Sequence, residues 1–197
     1  MANKIDSVDS DSEIEFSLSK YFELLENKIQ IILSRPEKNV LTYDILDTEK
    51  SKTNKLLALK EKQRQMKVGE IWQEALGSYN GWCNLKQGHE SGLDIISHTK
   101  KVAIEVKNRT NTDNASSKKA NLSKLAKFKK DNPEYLCIYG NINDKSEETT
   151  LNGSSKKIIH DGFELEHKIG CEFYKFILGN DTEEIIQFLK NTIHKYT

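Results

Sequence analysis

Three side chains in the stretch GLDIISHTKKVAIEVKNR carry the types and spacing for chemistry: Asp94, Glu105 and Lys107. VAIEVK reads as a short strand. Alternate side chains on a strand share a face, so Glu105 and Lys107 project together while Val102, Ile104 and Val106 turn the other way into a core. LDII, joined to VAIEVK by the polar link SHTKK, reads as the partner strand of a hairpin. Cross-strand neighbours in such a pair approach to about 5 Å between Cβ atoms. The pattern therefore predicts two carboxylates and one ammonium converging at a strand end.

Two carboxylates suit a hard divalent cation that takes oxygen ligands, Mg²⁺ first, with Mn²⁺ able to substitute. The backbone carbonyl of Val106, next to Glu105, is in position to add another oxygen. An ion so held polarises a phosphoryl oxygen and lowers the pKa of water, and Lys107 can orient or help deprotonate the attacking water. Glu70, on a helix that ends near Gly77, is a candidate accessory acid, with Glu90 as its rival. The plainer alternative is a solvent-facing ladder in which Glu105 pairs with Lys107 or Lys101.

The elements that must position these groups read as follows. A helix capped by Ser10 or Ser12 runs to about Leu33, with Phe16, Leu24, Leu25 and Ile32 sharing an apolar face, and Pro36 stops it. A connector leads to a long helix from Thr53 through Leu56, Leu59, Met66, Ile71 and Ala75 to Gly77. After the hairpin comes the polar loop NRTNTDNASS, then a basic helix over about residues 117–130. EYLCIYGNI reads as a buried strand, and KKIIHDGFELEH as a second hairpin turned at Asp161-Gly162. Two helices, about 169–178 and 182–195, finish the chain. The order fits an α/β or α+β fold, a central mixed sheet flanked by helices. One domain spans 1–197: an N-terminal helix and connector (1–52), a catalytic core (53–145), and a C-terminal hairpin with helices (146–197).

The formal net charge is zero, but it is unevenly spread. Residues 1–26 carry seven acids against two lysines, whereas residues 100–130 carry ten bases against Glu105 and Asp113. A basic segment of that kind gathers polyanions even when the whole chain is neutral. Cys83, Cys137 and Cys171 have no paired spacing and read as reduced thiols. His160 and His167 lack further ligands at zinc spacing, while His89 lies close enough to Asp94 in sequence to enter its site. Trp72 reads as core, and Tyr79 and Trp82 as core before DNA contacts. No apolar run reaches the ~20 residues of a membrane helix, and no signal-like start is present, so a cytoplasmic protein is expected.

GLD-x10-EVK resembles the PD-(D/E)XK signature of metal-dependent nucleases, with Gly92-Leu93-Asp94 where that signature has Pro-Asp. The surrounding text, MKVGEIWQEALG, NLKQGHESGLDI and AIEVKNRTNTDNASSKKA, resembles small Type II restriction endonucleases, particularly a subfamily that reads GGNCC. The likeness covers roughly residues 60–145 and, more faintly, GSSKKIIHDG. It implies Asp94 and Glu105 as metal ligands, Lys107 as the catalytic lysine and Glu70 as an accessory acid. It also implies double-stranded DNA as substrate, a restriction-endonuclease-like core and a cognate methyltransferase in the same system.

On DNA, Arg109 can donate two bonds to guanine, and Asn111 or Asn114 can meet base edges or phosphates. Ser116, Ser117, Lys118 and Lys119 extend that surface, with Lys124, Lys127 and Lys130 suited to phosphates. Cutting both strands of a palindrome with one such site is simplest for a two-fold dimer, with the first or the closing helices as its interface. Two other functions fit the same residues: a structure-selective repair or recombination nuclease, and a non-catalytic DNA-binding module.

Overall fold

The computed structural model describes residues 16–36, 40, 42, 44–86, 88–109 and 114–197. Ser10, Ser12 and Asn111, named above, lie outside the described residues.

A six-stranded mixed sheet is flanked by helices on both faces. The long strand β3 (Val102–Arg109) pairs antiparallel with β2 (Ile95–Ser97), which pairs antiparallel with the short β1 (Cys83–Asn84). On its other side β3 runs parallel to β4 (Leu136–Asn143), and β4 runs parallel to β6 (Phe163–Ile169). At the far edge β5 (Ser154–His160) pairs antiparallel with β6. The expected mixed sheet and both hairpins are present. The second hairpin turns at Asp161 (φ 48°) and Gly162 (φ 82°), the two positive-φ positions that a tight Asp-Gly turn requires.

Alternation along β3 explains how one strand serves two cores. Val102, Ile104 and Val106 pack with α1 (Leu18–Ser34), α2 (Glu49–Gly77), α5 (Cys171–Leu178) and α6 (Thr182–Tyr196), through Leu25, Ile71, Ala75, Phe173 and Ile185 among others. Ala103 joins a smaller core on the opposite face, with Ile96, Cys137, Leu165 and the buried side of α3 (Ala115–Asp131). Parallel β3 and β4 need a crossover, and α3 is that crossover. It buries Asn121, Leu122, Leu125 and Ala126, one helical stripe, against the sheet. Ser123 fastens it further, its Oγ donating to Asp161 Oδ2 at 2.9 Å beside His160 Nε2 at 3.0 Å.

Several boundaries and faces differ from those expected. The first described helix begins at Leu18 after Ser17, and Leu24 faces solvent while Leu25, Ile29 and Ile32 are buried. α1 packs onto α6, Phe22 stacking on Phe188 at 4.3 Å, so the faces these two helices bury are turned to each other. α2 starts earlier, at Glu49, where Thr48 accepts from the Ser51 N–H. Its Leu56 and Met66 are exposed, because only its last turns, from Ile71 on, lie over the sheet. A short helix, α4 (Glu147–Asn152), and the two-residue β1 had no signature in the periodicity. Trp72 stacks on Tyr174, Trp82 is buried in the larger core, and Tyr79 donates to Asp181.

Candidate active site

The hairpin register pairs Ile95 with Ile104 and Ile96 with Ala103, which carries Asp94 opposite Glu105. Both side chains lie on the face that α3 covers. Asp94 Oδ2 accepts the Val106 N–H at 2.7 Å, and the Asp94 N–H donates to the Ile104 carbonyl. Asp94 is thus fixed by backbone at both ends. Glu105 is 2% exposed. Its Oε1 accepts from Lys107 Nζ at 2.7 Å, while its Oε2 is buried with no hydrogen-bond partner.

The approach to Asp94 depends on Gly92. Its φ of 65° favours glycine, and a Cβ there would come 3.4 Å from Lys124 Cδ. That close passage brings Lys124 of α3 up to the acids, and its charge acts on both of them. Lys124 was one of several lysines assigned to phosphates from sequence. Its special place arises from the docking of α3 on the hairpin.

Burial pushes the Asp94 carboxyl above its ordinary value, against the pull of the Val106 N–H and of Lys107 and Lys124. Burial also raises Glu105, and the charge of Asp94 adds to it, against the Lys107 bond and the charges of Lys107 and Lys124. Two acids that remain raised despite two nearby ammoniums are short of positive charge. An unpaired buried carboxylate oxygen and two hard oxygen donors fit a divalent cation such as Mg²⁺.

Glu70 is not brought to this pair. It sits on α2, packed on the opposite face of the sheet, and Arg35 grips its carboxylate at 2.6 and 2.8 Å. Glu90 lies on the approach loop, lining a cleft of about 730 Å³ with His89, Ser91, Gly92, Lys124 and Lys127. Among the described residues no third His, Cys, Asp or Glu completes a metal-holding group.

Arg109, at the end of β3, lines a second cleft of about 630 Å³ with Arg64, Asn108, Asn143 and Lys145. Asn114 caps α3, its Oδ1 accepting the Ser117 N–H at 2.8 Å, which fixes the start of the basic helix. Ser116, Ser117 and Lys119 are exposed on the first turns, and Lys118 Nζ stands 5.8 Å over the Tyr139 ring. His160 and His167 serve different contacts, with Ser123 and with Asn141. Asn141 carries no signal in the sequence, and His167 is considered there only as a zinc ligand. Both are buried on the site's face, and only the pairing of β4 with β3 brings Asn141 beside Lys107. Among the described residues no helix is long and apolar enough to cross a membrane.

No curated protein matches the chain. The family model described as Eco47II restriction endonuclease, however, matches residues 3–197, taking in the hairpin, the basic crossover helix and both terminal regions. With that match running through the sheet and its acid pair alike, the chain belongs to the Eco47II restriction endonuclease family.

Proposed function

We propose that this protein is a Mg²⁺-dependent Type II restriction endonuclease of PD-(D/E)XK type, hydrolysing phosphodiester bonds in double-stranded DNA at a short sequence, GGNCC being the site its resemblance points to. The observation that carries the reading is the acid pair: Asp94 and Glu105 on adjacent strands, both raised, with a buried Glu105 oxygen left unpaired and Lys107 bound to the other.

Asp94 and Glu105 would hold the ion, with the Val106 carbonyl as a further oxygen donor. When bound, it supplies Lewis-acid polarisation of the phosphoryl group and a more acidic water. Lys107 orients the attacking water, takes part in its deprotonation and balances the charge that gathers on the phosphoryl oxygens. Lys119, Lys124, Lys127 and Lys130 neutralise backbone phosphates and set the salt dependence of binding. Arg109 and Asn111 are the base-reading candidates, Arg109 by a bidentate bond to guanine. Asn114 is already spent on the helix cap. Two copies related by a two-fold axis would cut both strands, and a cognate methyltransferase would protect the same sites.

Unmethylated DNA incubated with the protein and Mg²⁺ should yield discrete fragments whose mapped ends share one sequence, with EDTA abolishing the digest. Cutting of branched duplexes without a fixed ladder would instead favour a repair nuclease. Binding with no metal-dependent cutting would favour a DNA-binding module.

A further inference from the structure

The face of the sheet that carries Glu105 and Lys107 continues across β4 and β6 with two polar side chains that the reading above does not use. Asn141 stands directly across the parallel ladder from Lys107, and Tyr139 across from both Glu105 and His167. Glu105 and Asn141 are therefore diagonal neighbours, about 8 Å apart between Cα atoms by ordinary sheet spacing, with both side chains on one face. Asn141 is 1% exposed and His167 5%. His167 Nε2 lies 2.7 Å from Asn141 Oδ1, a contact that requires the proton on Nε2. Burial, with the charges of Lys118 and Lys156, pulls the His167 pKa down to about 4, so the ring stays neutral and serves as a fixed donor near neutral pH.

With Oδ1 held in this way, the Asn141 carboxamide cannot rotate freely, and its Nδ2 is buried with no hydrogen-bond partner. The Glu105 Oε2 atom is likewise buried and unpaired. One is a donor and the other an acceptor. Buried polar groups are nearly always paired, by protein or by ordered water, and two complementary orphans on neighbouring strands at a reacting site call for a common explanation. Each exposes less than 1 Å², too little for a water to reach, so a direct N–H···O bond is what would satisfy both.

Resting on the nuclease reading, we propose that Asn141, locked by His167, is a positioning residue for the Glu105–Lys107 pair. Its free N–H secures Glu105 Oε2 directly, by a bond across the strands. The carboxylate then keeps its orientation when Lys107 leaves Oε1 and turns toward DNA. A carboxylate has about four lone-pair sites, so this bond leaves room for an ion as well. The pair acts through Glu105 and touches no reacting atom.

The test is single-turnover cleavage at saturating DNA with Mg²⁺, alongside DNA affinity measured with Ca²⁺ in its place. Asn141→Ala should lower the cleavage rate about 10- to 100-fold, as outer partners of ligating carboxylates do, with DNA affinity changed by less than about twofold. His167→Gln, which keeps an N–H at the same reach, should retain most of the rate, whereas His167→Leu should fall with Asn141→Ala. If Asn141→Ala does not fold, the two His167 variants decide the matter. Wild-type cleavage by Asn141→Ala, an equal loss in DNA affinity, or His167→Gln no better than His167→Leu overturns the proposal. Absence of cutting by the unmodified protein overturns the nuclease reading itself, and this inference with it.

Discussion

Two buried glutamates in this molecule have almost the same burial and opposite electrostatics. Glu74, on the last turns of α2, is 6% exposed; Glu105, on β3, is 2% exposed. Burial raises the Glu74 carboxyl, but hydrogen bonds from Lys28 and Lys86 and their charges outweigh it, and its pKa ends below the ordinary value. Lys28 Nζ donates to Glu74 Oε2 at 2.8 Å and to Ser78 Oγ at 2.7 Å, while Lys86 takes Oε1. Both oxygens are satisfied, and the clasp ties α1 and the loop after β1 to α2. Glu105 has one lysine for one oxygen, a neighbouring acid, and a second oxygen without a partner. Burial alone does not mark a functional carboxylate; the charge balance after every partner is counted does. Glu74 stabilises the fold. Glu105 stays short of positive charge even with Lys107 and Lys124 acting on it.

The sharpest way to break this contrast is to alter the two lysine partners. Removing Lys107 by Lys107→Ala should lower single-turnover cleavage by about 10²- to 10⁴-fold, the usual scale for a group that manages a proton in the transition state. Removing Lys86 from Glu74 should leave cleavage near wild type. Equal activity of Lys107→Ala and the unmodified protein would sink the site assignment.

Stability should move in opposite directions when each acid is neutralised. Glu74→Gln leaves two ammoniums without their carboxylate. Because these keep 39% and 63% exposure, the loss should be about 1–2 kcal/mol, below the 3–5 of a fully buried pair. For a chain of this length that is a fall of a few degrees in the melting midpoint. Glu105→Gln removes a repelled, poorly solvated charge, so the metal-free protein at neutral pH should gain up to about 1 kcal/mol while losing activity, a trade seen at strained functional sites. Two falls of similar size in thermal melts would erase the distinction.

The same contrast carries a pH signature. Glu74, lowered in the fold, contributes stability that is present above its ordinary 4.5 and is lost as pH falls through its folded value. Asp94 and Glu105, raised in the fold, contribute stability that is present below their ordinary 3.8 and 4.5 and is lost as pH rises through their folded values. Chemical denaturation across that range should therefore lose its acid-side fall in Glu74→Gln and its alkaline-side fall in Glu105→Gln. Added Mg²⁺ should restore stability to the unmodified protein only above the raised values, where both acids are ionised. The smallest effect expected is at the basic helix, where Lys119→Ala should reduce the slope of log affinity against log salt by about 0.9.

Much of the site was legible in the text because it depends on local periods. A strand repeats every two residues, so VAIEVK alone sets Glu105 and Lys107 on one face and Val102, Ile104 and Val106 on the other, as the two cores require. A short polar link closes a hairpin, and the hairpin sets Asp94 against Glu105. The Asp161-Gly162 turn was readable for the same reason, since its two positive φ angles select its residues. Glu70 shows where local reading stops. Its spacing on α2 says nothing of Arg35, 35 positions away, which holds it on the far side of the sheet.

What the chain determined by itself is the local geometry, because dihedral preferences and side-chain alternation act over a few residues. Which distant groups arrive at those faces was decided by packing. The parallel pairing of β3 with β4 sets Asn141 beside Lys107, and the docking of α3 over a bare Gly92 sets Lys124 beside the acids. The same rule makes one buried glutamate a brace and leaves the other short of a cation. Neither outcome is written in a period, because each depends on the total of charges and hydrogen bonds gathered from segments far apart in the chain.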